Sequence, residues 1–465
     1  MSITFVGMVL IPLCVYFFLF KRSCLFNMAV FSVPFTGTAF FMLQGVQLAN
    51  DARGLGIRVS IVLFSLLFIL GIIKTATLAK FHIPFRARWY MMLMFILTLI
   101  IVLSQLMPLY ISGSFSVVDS YNEILTYANE VPLYYRVQWA TQVSYFIFGC
   151  LVSIYLVVHL DSIQLLISTI RVYLYSTIFV CLWGLLEWFL FQFDVPYPYY
   201  LFNHNSTNFG GSMELDGVVR ITSVALEPSI LSQQLISALP FFLFKEKGIG
   251  AVLSPILHKL GTGLIIIVLL LSTSATAYAG LLFVLVWYYF SLERMTYKII
   301  MTKLAIAAIF IGVALGLSSY IYDLVMYKIG SYSGKERLMS IMYAVKYFSN
   351  YPILGIGWGV MPSWDLLFCV LAGSGLMGFA VMFILCSQII VTLLKGRVKD
   401  HLCEYMRKSS LLSFISLLLV SQLSGFIYHS LYFWFILGFV VAVIVHLKSN
   451  KSRMDASDMV AIEAA

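Results

Sequence analysis

Charge is what this chain lacks. Only 11% of its 465 residues are Asp, Glu, Lys or Arg, against 61% that are hydrophobic, and the mean hydropathy is +0.97. Soluble domains carry about 25% charged residues, so this balance excludes an ordinary soluble enzyme and points to a chain built for lipid. Cysteine is scarce as well, at seven residues. Cys14, Cys150, Cys181, Cys369 and Cys386 fall inside hydrophobic runs, while Cys24 and Cys403 lie at their inner ends. None occupies an outer segment, which excludes a disulfide framework. No CxxC or HExxH pattern occurs, so a metal site has no motif behind it and none is expected. Short alternating strands are missing too, and unbroken runs such as Ile265–Leu271 exclude a transmembrane β-barrel. The formal charge of +9 comes with no basic stripe of interleaved aromatics, so no nucleic-acid partner is implied.

What is present is a series of apolar runs. A bilayer core takes about 20 residues per helix. Spans are expected near 3–20, 25–45, 58–79, 89–111, 139–159, 166–192, 229–244, 260–272, 275–291, 303–322, 366–394, 409–427 and 430–447. The expected fold class is therefore all-α: a polytopic transmembrane bundle of about 11–14 spans. Residues 1–447 form a single membrane domain, followed by a polar tail, 448–465, expected to be disordered. The first run lacks a basic start and a small-residue cleavage site, and reads as retained.

Lys and Arg set the orientation. With the N-terminus outside and the C-terminus inside, only Arg53, Arg58, Arg136, Arg220, Lys328, Lys335, Arg337 and Lys346 face out, eight of the 29 bases. A single helix over 260–291 would reverse everything downstream and put Lys395, Arg397, Lys399, Arg407 and Lys408 outside. Two short spans hinged at Ser272-Thr273-Ser274-Ala275-Thr276 fit the charge rule better.

Three outer segments are long enough to carry chemistry: 112–138, 193–228 and 323–365. The stretch Arg220-Ile221-Thr222-Ser223-Val224-Ala225-Leu226-Glu227-Pro228-Ser229 leads into the 229–244 span. Pro228 suits a first helical turn, and the helix start offers free N–H groups to an anion such as phosphate. Were 220–227 helical, Arg220, Ser223 and Glu227 would share a face. The plainer reading is an Arg–Glu ion pair that fixes the loop.

In the third segment, Ser333 and Glu336 have capping-box spacing. Leu338, Ile341, Met342 and Val345 recur at helical spacing, as in an amphipathic helix lying along the outer face. Arg337, with Lys335 and Lys346, is a second basic centre, able to grip a diphosphate or to touch lipid headgroups. Gly355-x-Gly357-x-Gly359 reads as a tight loop into the next span, not a dinucleotide fingerprint, because no strand precedes it. Glu187 lies about two turns inside its span, where a carboxylate faces protein or water. Gln233 and Gln234 can bond a substrate or a neighbouring helix. His204 and His429 are the outward histidines. His204 lies in a Tyr- and amide-rich run (Pro196, Pro198, Tyr199, Tyr200, Asn205, Asn208) suited to sugar.

Three motifs occur in one order: R-I-T-S-V-A-L-E-P-S from Arg220, L-L-L-S-T-S-A-T-A-Y-A-G from Leu269, and R-L-M-S-I-M-Y-A-V-K-Y-F-S-N-Y-P-I-L-G-I-G-W-G from Arg337. G-S-G-L-M-G-F from Gly373 follows. Together, over roughly 170–440, they resemble the superfamily of bacterial O-antigen polymerases and O-antigen ligases. The resemblance implies a cofactor-free, metal-independent glycosyltransferase of GT-C type in the inner membrane, working at the periplasmic face on undecaprenyl-diphosphate-linked glycans. It also implies, as partners, a chain-length regulator and a flippase beside the bilayer. On that model Arg220 and Arg337 hold the donor diphosphate and Glu227 activates or orients the acceptor hydroxyl, with Glu187 and Asp216 as reserves. Lys335, His204, Ser229, Gln234 and Lys346 are further substrate-binding candidates. One departure is informative. Ligases usually carry a histidine where this chain has Met361-Pro362-Ser363-Trp364-Asp365, which favours a polymerase that joins repeat units.

Overall fold

The computed structural model describes residues 2–43, 55–78, 84–118, 130–204, 213–215, 218–245, 252–291, 332–361, 363–396, 400–425 and 427–463, together with 301, 326, 330 and 398. Helix makes up 75% of it and strand 5%, so the helical expectation holds while the all-α one needs amending. Four helical segments are long and apolar enough to cross a membrane: Phe85–Tyr110, Val137–His159, Ile163–Gln192 and Leu366–Lys395. Five shorter apolar helices accompany them. Large side chains such as Ile72, Phe95 and Phe383 stand more than half exposed on this assembly, as expected of a surface that meets lipid. The expected span 303–322 lies outside the described residues.

The second expected span, 25–45, is not one helix. After α1 (Phe5–Phe20), α2 covers only Arg22–Phe31. Irregular backbone follows, and then strand β2 (Ala39–Leu43), which pairs with β1 (Ser2–Ile3) and β3 (Leu55–Arg58). Residues 32–40 are all buried. That is the condition under which non-helical backbone persists among apolar spans, because its polar groups must find protein partners. Two more small hairpins stand in the segments 112–138 and 193–228, β4 (Ser116–Val118) with β5 (Glu130–Pro132), and β6 (Met213–Leu215) with β7 (Val218–Arg220).

At the centre stands α9 (Pro228–Leu243), every residue of which is buried except Ile230. It is packed by α7 (Ile163–Gln192), α10 (Pro255–Leu271), α11 (Ala275–Ser291) and α14 (His401–Val420). This helix is enclosed by protein rather than lipid, which explains how it carries Ser229, Ser232, Gln233, Gln234 and Ser237. Gln234 is buried and donates to Thr36 Oγ1 (3.3 Å). Gln233 bonds Ser424 Oγ (2.8 Å), the Ser424 carbonyl and the Tyr432 hydroxyl. Both amides therefore have protein partners, Gln233 at the neighbouring helices and Gln234 on the irregular segment after α2, although the Oε1 of Gln234 remains buried and unpaired.

Ser272–Ser274 separates α10 from α11, as the hinge reading expected. Helix α12 (Tyr332–Asn350) occupies the third outer segment. It already includes Ser333, which is therefore inside the helix rather than at its N-cap. Leu338, Met342 and Val345 are exposed, whereas Ser340, Ala344 and Tyr347 are buried against protein. Tyr347 accepts a bond from the Val118 N–H (2.8 Å), and Lys346 pairs with Glu130 at 2.5 Å, so α12 clasps the β4–β5 hairpin.

Gly355, Gly357 and Gly359 all have positive φ, a conformation that suits glycine. Their loop packs on α13 (Leu366–Lys395) where that helix is interrupted at Gly375 (φ 63°). There the Ile356 N–H reaches the Ala372 carbonyl (2.8 Å) and the Leu376 N–H the Pro352 carbonyl (2.7 Å). The last helix, α15 (Leu431–Glu463), runs through the tail expected to be disordered. That tail has no Gly or Pro to stop a helix and is rich in good helix formers.

Candidate functional site

Residues 220–229 are not helical up to the cap. Arg220 ends strand β7, and 221–227 form a turn in which Ser223 adopts φ 54°. The shared helical face of Arg220, Ser223 and Glu227 is therefore absent. Tertiary contacts decide this. Glu187 reaches across from α7 and accepts from the Thr222 N–H (2.9 Å), the Ser223 N–H (2.5 Å) and the Thr222 hydroxyl (3.1 Å). The Ser223 hydroxyl donates back to the Val180 carbonyl on the same helix (2.7 Å). From the other side the Gly37 N–H bonds the Val224 carbonyl (2.9 Å), an approach so close that a Cβ at Gly37 would strike it. Asn203 Nδ2 donates to the Ser223 carbonyl (2.9 Å). Glu187 is only 1% exposed with both oxygens engaged, so it positions the loop rather than meeting substrate.

The loop delivers Glu227 to the N-cap of α9. Its extended backbone (φ −148°, ψ 157°) suits the cap, and Pro228 supplies the first turn. The half-buried carboxylate accepts one bond from Ser229 Oγ, at 3.3 Å. None of the ion pairs among the described residues joins Glu227 to Arg220 or Arg337. The three nonetheless act on one another. Burial pushes the Glu227 carboxyl above its usual range, while the Ser229 bond and the charges of Arg220 and Arg337 pull it back. Burial likewise lowers both guanidinium pKa values. Glu227 opposes that at each, and Arg337 adds repulsion at Arg220. Neither shift discharges an arginine.

Arg337, one turn into α12, donates to the Leu423 carbonyl just beyond α14. This contact ties α12 to the α9 region, and it brings together two arginines that lie 117 positions apart. Arg220 Nε is buried without a partner. Glu336, expected only as a capping residue, belongs to this group as well. Burial raises its carboxyl, the Glu227 charge raises it further, and Arg337 lowers it. Tyr278 on α11 also acts on Arg220. Position next to Arg337 was the only signal in the sequence that placed Glu336 at the site, and Tyr278 was marked only as a member of the motif that starts at Leu269.

The remaining candidates sit apart. Lys335 is exposed on α12. Lys346 is committed to Glu130, with its ammonium 5.9 Å from the Tyr343 ring. His204 follows the short helix α8 (Tyr199–Phe202). Burial lowers its pKa against a bond with the Tyr200 backbone, and its Nδ1 has no partner. No contact among the described residues carries His204 to the arginines. His429 is engaged through its carbonyl with Arg58 Nη1 (2.6 Å), and its ring lies against Tyr428 and Tyr145. Asp216, Asn205 and Asn208 lie outside the described residues. In the stretch without the ligase histidine, Asp365 caps α13 through the Phe368 N–H (2.7 Å) and accepts from Ser363 (2.7 Å).

Two cations, two carboxylates and a helix start without a side-chain cap thus converge, with unspent bonding capacity on Arg220. Such a group can bind a polyanion and place a carboxylate beside it. Compared with protein-family models and with curated proteins, the chain matches no family model and no curated sequence.

Proposed function

We propose that the chain is a membrane glycosyltransferase that polymerises undecaprenyl-diphosphate-linked oligosaccharide repeat units into O-antigen or a related surface polysaccharide. On this reading it is a GT-C-like bundle of 11–14 spans in the bacterial inner membrane. Its reaction takes place at the periplasmic face without metal or cofactor. The observation that carries the reading is the convergence of Arg220, Arg337 and Glu227 at the start of α9.

The chemistry asks little else. An acceptor sugar hydroxyl attacks the donor anomeric carbon, a new C–O bond forms, and the bond from that carbon to the diphosphate oxygen breaks. Undecaprenyl diphosphate leaves with the electron pair, and its growing negative charge falls to Arg220 and Arg337. The hydroxyl proton passes to Glu227, whose raised pKa makes it a better base than an exposed carboxylate, while its two cationic neighbours favour the ionised form that accepts the proton. Both substrates are held by the protein, so positioning supplies much of the remaining rate.

The test is reconstitution of purified protein in vesicles with lipid-linked repeat units and no ion gradient. A ladder of products that vanishes in Arg220→Ala and Arg337→Ala is expected. Movement of the lipid-linked unit without new glycosidic bonds would instead identify a transporter. In the host, deletion of the gene should leave single repeats on lipid A-core, whereas loss of all attached polysaccharide would identify a ligase.

A further inference from the structure

The break between α10 and α11 has no task in the reaction as written, yet its groups are left waiting. Thr273 holds φ 45°, a left-handed conformation that β-branched residues rarely adopt. Its Oγ1 is buried without a partner, and so is the Oγ1 of Thr276, a residue with no exposed surface. The Tyr278 N–H makes the first helical bond of α11, to the Ser274 carbonyl (3.2 Å). The N–H groups of Ala275, Thr276 and Ala277 therefore precede the helical ladder and lie at the positive end of a 17-residue helix.

The packing says where this end points. Gly280, one turn beyond Thr276, lets Ile236 of α9 and Val420 of α14 approach within 3 Å of where a Cβ would stand. One turn earlier on α9, Ser232 Oγ lies 3.4 Å from Ser272 Oγ. Thr276 is thus on the face turned to α9, level with its first turn and about one turn below Glu227. Arg220, with its own unpaired Nε, lies within electrostatic reach of the Tyr278 hydroxyl.

We propose that the start of α11, through Thr276, Thr273 and its free N–H groups, is an oxyanion half-site that takes one phosphoryl group of a diphosphate. Arg220 bridges that group to the second, which Arg337 holds. The inference rests on the glycosyltransferase reading and deepens it by naming residues that distinguish a diphosphate from a monophosphate. Neutral donors and a helix dipole suit the inner phosphoryl group, because they stabilise its charge without another buried cation.

The experiment measures binding of undecaprenyl diphosphate and of undecaprenyl phosphate to the purified full chain. Thr276→Val should weaken diphosphate binding about tenfold, the loss of one hydrogen bond to a charged group, and should change monophosphate binding by less than about twofold. Thr276→Ser should keep wild-type affinity. Thr276→Val removes a buried unpaired hydroxyl, so the Tm without lipid should hold or rise, and weaker binding cannot be put down to misfolding. If Thr276→Val and Thr273→Val bind the diphosphate like wild type while Arg220→Ala loses it, the half-site is wrong and the glycosyltransferase reading stands. If Arg220→Ala and Arg337→Ala also bind like wild type, both fail.

Discussion

At the start of α14, Arg407 and Glu404 form a closed unit, whereas Arg220, Glu227 and Arg337 at the start of α9 form an open one. Arg407 places Nε and Nη2 on the two Glu404 oxygens at 2.7 and 2.6 Å, and its Nη1 on the Leu393 carbonyl at 2.5 Å. Lys408 adds a contact at 3.5 Å. Burial alone would raise the Glu404 carboxyl, but the Arg407 bond and charge more than offset it and hold it below its usual range. Around Glu227 burial wins, the carboxyl rises, and the Arg220 Nε is left without a partner. The first arrangement uses up its bonding capacity inside the protein and joins α14 to α13. The second holds like charges near one another with capacity unspent, the condition in which a polyanionic ligand gains most.

The largest test of this contrast exchanges the two regions. Arg220→Ala and Arg337→Ala should cut polymerisation at least about hundredfold. Arg220→Ala should leave the Tm nearly unchanged, since its Nε has no partner, and Arg337→Ala should cost only about 1 kcal/mol for its bond to the Leu423 carbonyl. Arg407→Ala should do the reverse. It leaves the half-buried Glu404 with only the longer Lys408 contact, so stability should fall by about 2 kcal/mol, read from denaturation, with the activity of the remaining folded protein within about twofold. Equal effects at both ends would remove the distinction.

Next in size is Glu227→Gln, expected to cost about tenfold to hundredfold in rate and to abolish the acidic limb of the pH–rate profile. The sign follows from the raised pKa. The base works only when ionised, so wild-type rate should fall as pH drops through a value above the ordinary carboxylate range. For stability the same shift means that ionising Glu227 costs the fold as pH rises through its pKa. Glu404 has the opposite sign, its contribution being present at neutral pH and lost as pH falls through its depressed pKa.

Glu187→Ala sharpens the comparison from a third place, because Glu187 is closed like Glu404 yet supports the open site. Losing its three bonds should cost about 1–3 kcal/mol and lower the maximal rate, as Thr222 and Ser223 lose their anchor. Glu187→Gln should fall between, since its NH2 would face an N–H donor. The smallest effect is expected at Lys346→Ala. Its exposed pair with Glu130 should be worth under about 0.5 kcal/mol, and polymerisation should be unchanged. A large loss of activity there would return Lys346 to the site.

Much of this was legible beforehand. Pro228 marked the start of α9, Ser272-Thr273-Ser274 the break between α10 and α11, the spacing of Leu338, Met342 and Val345 a helix, and Gly355, Gly357 and Gly359 a tight loop. Each rests on neighbours within a turn or two, where periodicity and backbone preference act. The failures have two causes. Residues 32–38 lie inside an apolar run whose average hydropathy hides the local helix breakers Pro34 and Gly37. Residues 220–227 looked able to form a helix because Glu187, 35 positions away from Thr222, is invisible to local patterning. The meeting of Arg337 with Leu423, across 86 positions, is of the same kind.

The sequence by itself determined that this is a helical membrane protein with few charges, and which of those charges stand together in the chain. Composition and the 3.6-residue period suffice for that, since apolar area and backbone satisfaction dominate in lipid. Only the tertiary structure decided which charges are spent and which are free. A lysine beside Glu130, a glutamate beside Ser223 and an arginine whose Nε has no partner read alike in a sequence, because an ion's role depends on the desolvation and partners that packing brings to it.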